Sequence, residues 1–434
     1  YMYFTVTHHF VYDLGMLPNW WPAYDSGYPI SLTLDGFLNP IFILTLKFLP
    51  PFLANNIVIF VFFVLNGLSL YALCRALKLS RAGSLIASIS YAFSGVIIQH
   101  TPVTSIITLM PFLPLSFLCC LKIFQGKTKW FWLWLSFLIY SWIGGWSEMI
   151  VYALVASGFF AVYLLIKNSS DASFISRIRK SESRPEASGK IGNFKYRYPI
   201  LFFGAIILSI IILLPWFLSV LHFVSFSNRS GGVNLEVAGG LPNGISELIH
   251  VFYPHLSVFY GEILPYVPIF TDFHLYVGTL PLLLVLASLF IKNKKGKEYL
   301  IFFLALAAGS ILMTINHSPL FWLFHQIPVL KWFGGYWKWN FIIVFSLAIL
   351  AGYGMDNIRD FFRNRSSKYI ISALWILMLA ALIGVAITTA FDKKIETAIT
   401  SYGLSNYENT PDRAFSRSEK YYNNIIKEIS TSFV

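Results

Sequence analysis

The chain has 434 residues, of which 56% are hydrophobic and only 12% charged, and its mean hydropathy is +0.65. A water-soluble domain carries roughly 25% charged residues, so this composition excludes an ordinary soluble enzyme. The net charge of +12 would suit a nucleic-acid partner, but its distribution along the chain points elsewhere. Cys74, Cys119 and Cys120 all lie inside apolar runs. That position argues against a disulfide framework or a metal centre and fits small-residue packing.

The apolar residues gather in runs of roughly 20, the length that crosses a bilayer, and the expected fold is an all-α polytopic membrane protein. In chain order the expected spans are 53–74, 82–98, 104–121, 130–143, 149–166, 199–221, 275–291, 299–315, 339–356 and 369–390. Each is bounded by charge, Pro or Gly, as where a helix leaves hydrocarbon. Sorting the connecting loops alternately places most of the 32 basic residues on one side. Arg75 to Arg81, Lys122 to Lys129, Lys167 to Arg197, Lys292 to Lys297 and Arg359 to Lys368 bound these basic segments. By the positive-inside rule that side is cytoplasmic.

Both termini then lie outside. Residues 1–52 precede the first full span on the outer face, and the chain begins at Tyr1 without an apolar run. An upstream span is therefore expected, and the chain reads as a fragment. Segment 38–49 is apolar but too short to cross, so it is expected to lie on the outer interface or to re-enter. Residues 168–196 are polar, basic and Ser-rich, the composition of a flexible cytoplasmic linker. The chain thus divides into a transmembrane domain, 1–390, with outer loops 1–52, 222–274 and 316–338, and an outer segment, 391–434, read as the start of a further domain.

Chemistry-bearing residues gather in the outer loops. Central halves of the spans hold no Asp, Glu, Lys or Arg, which counts against a proton-coupled carrier. The first outer loop carries Asp13, Asp25 and Asp35 with Trp20, Trp21, Tyr24 and Tyr28. These rings suit sugar stacking and equally suit an interfacial aromatic belt. Asp25 and Asp35 suit a general base, a metal ligand or a helix cap, and Asp13, before Gly15 and Pro18, suits a turn. Loop 222–274 holds Arg229, His250, Tyr253, His255, Tyr260 and Glu262. His250 and His255 are five apart with Pro254 between them, and no third ligand stands at zinc spacing. A substrate cleft or a packed, hydrogen-bonded loop both fit. Glu148 is the only charge in the turn GGWSEM, where Gly144 and Gly145 allow close backbone approach. Lys338 lies in GGYWKWN between Trp337 and Trp339. There it either snorkels to the interface or holds a lipid-linked phosphate.

Three segments carry a family resemblance: GMLPNWWPAYDSGYP (15–29), YVGTLPLLLVLASLF (276–290) and IPVLKWFGGYWKWNFIIVFSLAILAGYGMDNI (327–358). Together they resemble the YfhO-like bacterial membrane proteins, within the GT-C fold of polyprenyl-phosphate-dependent glycosyltransferases. The resemblance implies a GT-C-like helical bundle of about ten transmembrane helices in the bacterial plasma membrane. It also implies sugar transfer on the outer face, inverting or retaining, from a polyprenyl-phosphate donor to a cell-envelope glycan or lipid acceptor. The catalytic Asp of such enzymes follows the first span, a position upstream of Tyr1, and Asp13 is the nearest remaining carboxylate. Lys338 stands where that rim carries a basic residue.

The candidate catalytic carboxylates are accordingly Asp13, Asp25, Glu148 and Glu262. The candidate substrate contacts are Trp20, Trp21, Tyr28, His255, Tyr260, Arg229 and Lys338. No metal set is assigned, the need for a divalent cation stays open, and membrane lipids rather than nucleic acid are the expected surroundings. A flippase of lipid-linked glycans and a non-catalytic envelope-assembly protein are the competing readings.

Overall fold

The structure, a computed structural model, describes residues 2–17, 20–21, 29–32, 36–170, 191–227, 230–233, 275–289, 294–315, 318–327 and 330–363. Among these residues it is helical throughout, with no strand. The chain enters through α1 (Met2–His8), a π-helical turn (His9–Asp13) and α2 (Pro40–Leu46). Asn39 caps α2 by accepting the Ile41 amide at 3.0 Å, and Pro40 occupies a first-turn position whose amide would have no partner in the helix.

The bundle then runs through α3 (Pro51–Ala76), α4 (Arg81–Ala92), α5 (Gly95–Gln99), α6 (Thr104–Ile107), α7 (Phe112–Phe124), α8 (Trp130–Gly144) and α9 (Ser147–Ser170). It continues with α10 (Ile191–Ile212), α11 (Leu214–Ser225), α12 (Thr279–Ser288), α13 (Lys294–Thr314), α14 (Pro319–His325) and α15 (Asn340–Arg363). Five stretches are long and apolar enough to cross a membrane: Pro51–Ala76, Arg81–Gln99, Thr104–Phe124, Ser147–Lys167 and Asn340–Ile358.

The expected ten spans are met only in part. Span 369–390 lies outside the described residues, and each of the other expected spans contains helix. Three of those stretches, Trp130–Gly144, Thr279–Ser288 and the apolar part of α13, Glu298–Thr314, fall short of the crossing length. At 1.5 Å per residue α8 reaches about 22 Å and α12 about 15 Å, against a hydrocarbon core of about 30 Å. The expected straight span 199–221 is two helices, α10 and α11, bent by 71° and together able to count as a sixth crossing. Pro215 stands in the first turn of α11. Lacking an amide hydrogen and clashing with the preceding turn, it cannot continue α10.

The centre of the bundle is α15, which packs against α4, α12 and α13. Small residues make these contacts close. A Cβ on Gly354 would collide with the Leu284 carbonyl, and one on Gly352 would stand 2.7 Å from the Gly83 carbonyl. In a bilayer the solvent does not drive helices together, so close backbone approach and van der Waals contact must. The joint is closed by polar groups beyond it. Asp356 accepts the Ser80 amide at 2.7 Å and the Ser80 hydroxyl, and Asn357 Nδ2 donates to the Ala287 carbonyl at 2.8 Å. The Leu-Ala-Gly-Tyr-Gly-Met-Asp end of this span is thus a packing device.

These contacts belong to one end of the bundle, together with the Lys167–Glu298 ion pair at 2.5 Å. The other end is tied by Gly95 N to Tyr276 O at 2.8 Å, Trp146 Nε1 to Ser105 Oγ at 3.2 Å, Trp216 Nε1 to Ser31 O at 2.9 Å and the Glu148–Lys338 pair. Each of these contacts joins residues that the charge sorting assigns to the same side. The 18 residues from Lys338 to Asp356 correspond to about 27 Å of helix, so the two layers stand roughly a membrane thickness apart. The long apolar helices are those of an integral membrane protein.

Candidate functional site

The turn between α8 and α9 brings the first functional group into place. Gly145 lies so close to Leu109 that a side chain there would overlap it, as the GGWSEM motif suggested. Asn39, fully buried, fastens the same turn: its Nδ2 donates to the Gly144 carbonyl at 3.0 Å and reaches Thr108 Oγ1 at 3.1 Å and Tyr140 OH at 3.2 Å. Glu148 then falls in the first turn of α9, where the unpaired amides of a helix start favour a negative charge.

Lys338 comes from a 3-10 turn, Tyr336–Trp339, immediately before α15. Its ammonium forms an ion pair with Glu148 Oε2, the two side chains being only 10% and 9% exposed. Its Nζ also lies 4.9 Å from the centroid of the Trp146 ring. Two candidates that are 190 residues apart in sequence are therefore one unit. Taking both charges out of water is costly, and removing either partner takes a buried opposite charge from the other. Trp146 supplies a cation–π face and is itself held by Ser105.

Trp339, the residue after Lys338, lines an apolar cavity of about 260 Å³ bounded by α9, α13, α14 and the turn before α15. Phe159, Phe302, Leu306, Met313, Phe324 and Trp339 line it. Trp339 connects the cavity to the pair, since it follows Lys338 directly and its ring meets Tyr152 at 5.3 Å and Phe324 at 5.9 Å. Two lining residues carry polar atoms without a hydrogen-bond partner among the described residues, Trp339 Nε1 and Ser310 Oγ. Both residues are buried, and a buried polar group without a partner carries a desolvation cost. The cavity falls just below the roughly 300–1,000 Å³ of small-molecule pockets. It suits a length of hydrocarbon chain with a hydrogen-bond acceptor near one end.

The segment after α11 is tied to α14 and to the turn that follows it. Val233 N donates to the Lys331 carbonyl at 2.9 Å. His325 stacks on Phe321 and hydrogen-bonds to the Val233 backbone. Burial, and then the nearby Lys331 charge, hold the His325 pKa below its ordinary value, against the opposing effect of the Val233 bond.

The remaining candidates fare unevenly. Asp13 ends the π-helical turn, half-exposed, with His9 Nδ1 at 3.1 Å and His8 Nδ1 at 3.7 Å. Among the described residues no hydrogen bond or ion pair joins it to Glu148 or Lys338. Trp20 is exposed, whereas Trp21 packs edge-on to Phe37 in a small second core with Val6, Phe10 and Ile30. Asp25, Tyr28, Arg229, His255, Tyr260 and Glu262 lie outside the described residues. Among the described residues no three His, Cys, Asp or Glu side chains converge as a metal set.

Sequence reasoning missed Asn39, Trp146 and Trp339 as parts of this site. Asn39 before Pro40 is legible as a helix start, but its ties to α6 and α8 are not. Compared with protein-family models, curated proteins and solved structures, the chain matches none.

Proposed function

We propose that the protein is a membrane glycosyltransferase. It moves a sugar from a polyprenyl-phosphate donor to a cell-envelope glycan or lipid acceptor. The reaction takes place at the bundle end that carries Glu148 and Lys338, read as the outer face of a bacterial plasma membrane. In this reading the full bundle has about ten spans in a GT-C-like arrangement. The observation that carries the proposal is the buried Glu148–Lys338 pair beside an apolar cavity, because a lipid-linked phosphate offers the matching combination of one anionic group and a hydrocarbon chain.

Each group has a task in such a transfer. The cavity and Trp339 take the part of the polyprenyl chain next to the phosphate. Lys338 meets the phosphate with a charge-assisted hydrogen bond, which strengthens as charge develops on the leaving oxygen. The acceptor hydroxyl oxygen forms its bond to the anomeric carbon while the bond from that carbon to the phosphate oxygen breaks. The electron pair stays with the phosphate, and the hydroxyl proton passes to a carboxylate, for which Glu148 is the group at hand. Trp20, which is exposed, offers a face for a sugar ring.

The test is transfer in membranes holding the protein, supplied with a radiolabelled polyprenyl-phosphate sugar. Label in the envelope polymer, lost in Glu148→Gln and Lys338→Gln, is the expected result. Passage of the lipid-linked glycan across the membrane without any transfer would replace the enzyme by a carrier.

A further inference from the structure

The two groups assigned to base and phosphate binder neutralise each other. Neither task can be done while they remain paired: Glu148 holds the charge that the phosphate needs, and Lys338 holds the carboxylate that the hydroxyl needs. We propose that an anionic phosphate ester displaces Glu148 from Lys338, so that binding of the donor itself unmasks the carboxylate. This inference rests on the glycosyltransferase reading for its purpose, although the exchange can be observed without any sugar transfer.

Three features favour exchange over a fixed tie. The ammonium is never left without an anion, since one replaces another on it while its cation–π partner Trp146 stays 4.9 Å away. A route of matching chemistry adjoins the pair, because Trp339, next to Lys338, lines the apolar cavity. That cavity also has unmet polar atoms on Trp339 and Ser310, which an ester or phosphate oxygen would satisfy. Once displaced, a carboxylate that has lost its ammonium in such a desolvated place is driven to take up a proton. The acceptor hydroxyl supplies that proton only when donor is present. The pair would thereby restrain the base against water until a phosphate ester arrives.

The experiment uses the full chain in lipid nanodiscs, with farnesyl phosphate, farnesol and inorganic phosphate as separate probes. Carbodiimide labelling of Glu148, read by mass spectrometry, is expected to rise several-fold with farnesyl phosphate and to stay at its starting level with farnesol. If inorganic phosphate alone produces the same rise, the displacing group is free phosphate; a response confined to farnesyl phosphate identifies a lipid ester. Glu148→Gln, which removes the competing anion, is expected to bind farnesyl phosphate about tenfold more tightly, a shift of one decade in Kd, and Lys338→Gln to lose that gain. Glu148→Asp, with a shorter reach to Lys338, is expected to shift in the same direction and serves if the Gln variant does not fold. Labelling that is flat or falls with farnesyl phosphate, or Kd values unchanged or weaker in both Glu148 variants, overturns the exchange. Exchange without sugar transfer would sink the glycosyltransferase reading alone, and transfer without exchange would sink this inference alone.

Discussion

Two lysine–glutamate pairs stand at opposite ends of the same bundle, each beside an aromatic ring. Lys167 meets Glu298 at 2.5 Å with Nζ 3.9 Å from the Tyr299 centroid, and its partner is 54% exposed. Lys338 meets Glu148 with both side chains about nine-tenths buried and Trp146 under the ammonium. The components are alike, but the surroundings reverse their meaning. In water the first pair gains little over its separated ions. The second has given up its hydration and depends on its partner. A pair of that kind is a poor device for stability alone, since well-packed apolar side chains would serve as well, and that makes it the functional candidate.

The contrast can be broken experimentally. The largest effect is expected from Glu148→Gln or Lys338→Gln. Transfer should fall by about 100-fold or more, and unfolding in detergent should show a loss of about 3–5 kcal/mol, the penalty of breaking a buried ion pair. Gly354→Ala attacks the other end, where the added methyl collides with the Leu284 carbonyl. A loss of about 1–3 kcal/mol from overpacking is expected, with transfer per folded molecule unchanged. Replacing both buried charges, as Glu148→Leu with Lys338→Met, should return stability to within about 1 kcal/mol of the parent while transfer stays absent. That double variant separates function from folding at one site.

Smaller effects mark the exposed pair and His325. Glu298→Gln should cost about 0.5 kcal/mol, and less in high salt, because exposed charges are screened. His325 adds a pH dependence. Its folded pKa lies below the ordinary 6.5, so above that pH the ring is neutral in both states and the native state keeps its full stability. As pH falls below 6.5 toward the folded value, the unfolded chain binds a proton that the native protein does not, and stability declines. The difference in Tm between pH 7.5 and pH 5.5 should therefore be smaller in His325→Gln than in the parent.

Much of the frame was legible. Charge sorting divided the loops into two sides, and contacts such as Ser80–Asp356 and Gly95–Tyr276 respect that division. The glycines of GGWSEM predicted a close backbone approach, and Leu109 occupies it. The length of the spans was less legible, because hydropathy reports what a segment prefers as surroundings and not where its helix stops. Thus α12 ends at Ser288 and α10 turns at Leu213 inside continuous apolar runs. The aromatic pair of the first loop was legible only as a pair: Trp21 went to a small core and Trp20 to the surface, a choice made by Phe37 and its neighbours and not by the two residues.

The sequence by itself determined an all-helical chain made for a membrane, its division into two faces, and the gathering of charged and aromatic residues at the loop ends. Those properties follow from transfer energies and charge counts, which add up along a chain. Only the tertiary structure decided that Glu148 and Lys338 neutralise each other beside an apolar cavity. An ion pair needs two side chains within a few ångströms, and across 190 residues that proximity is fixed by the packing of α9 and α15 alone.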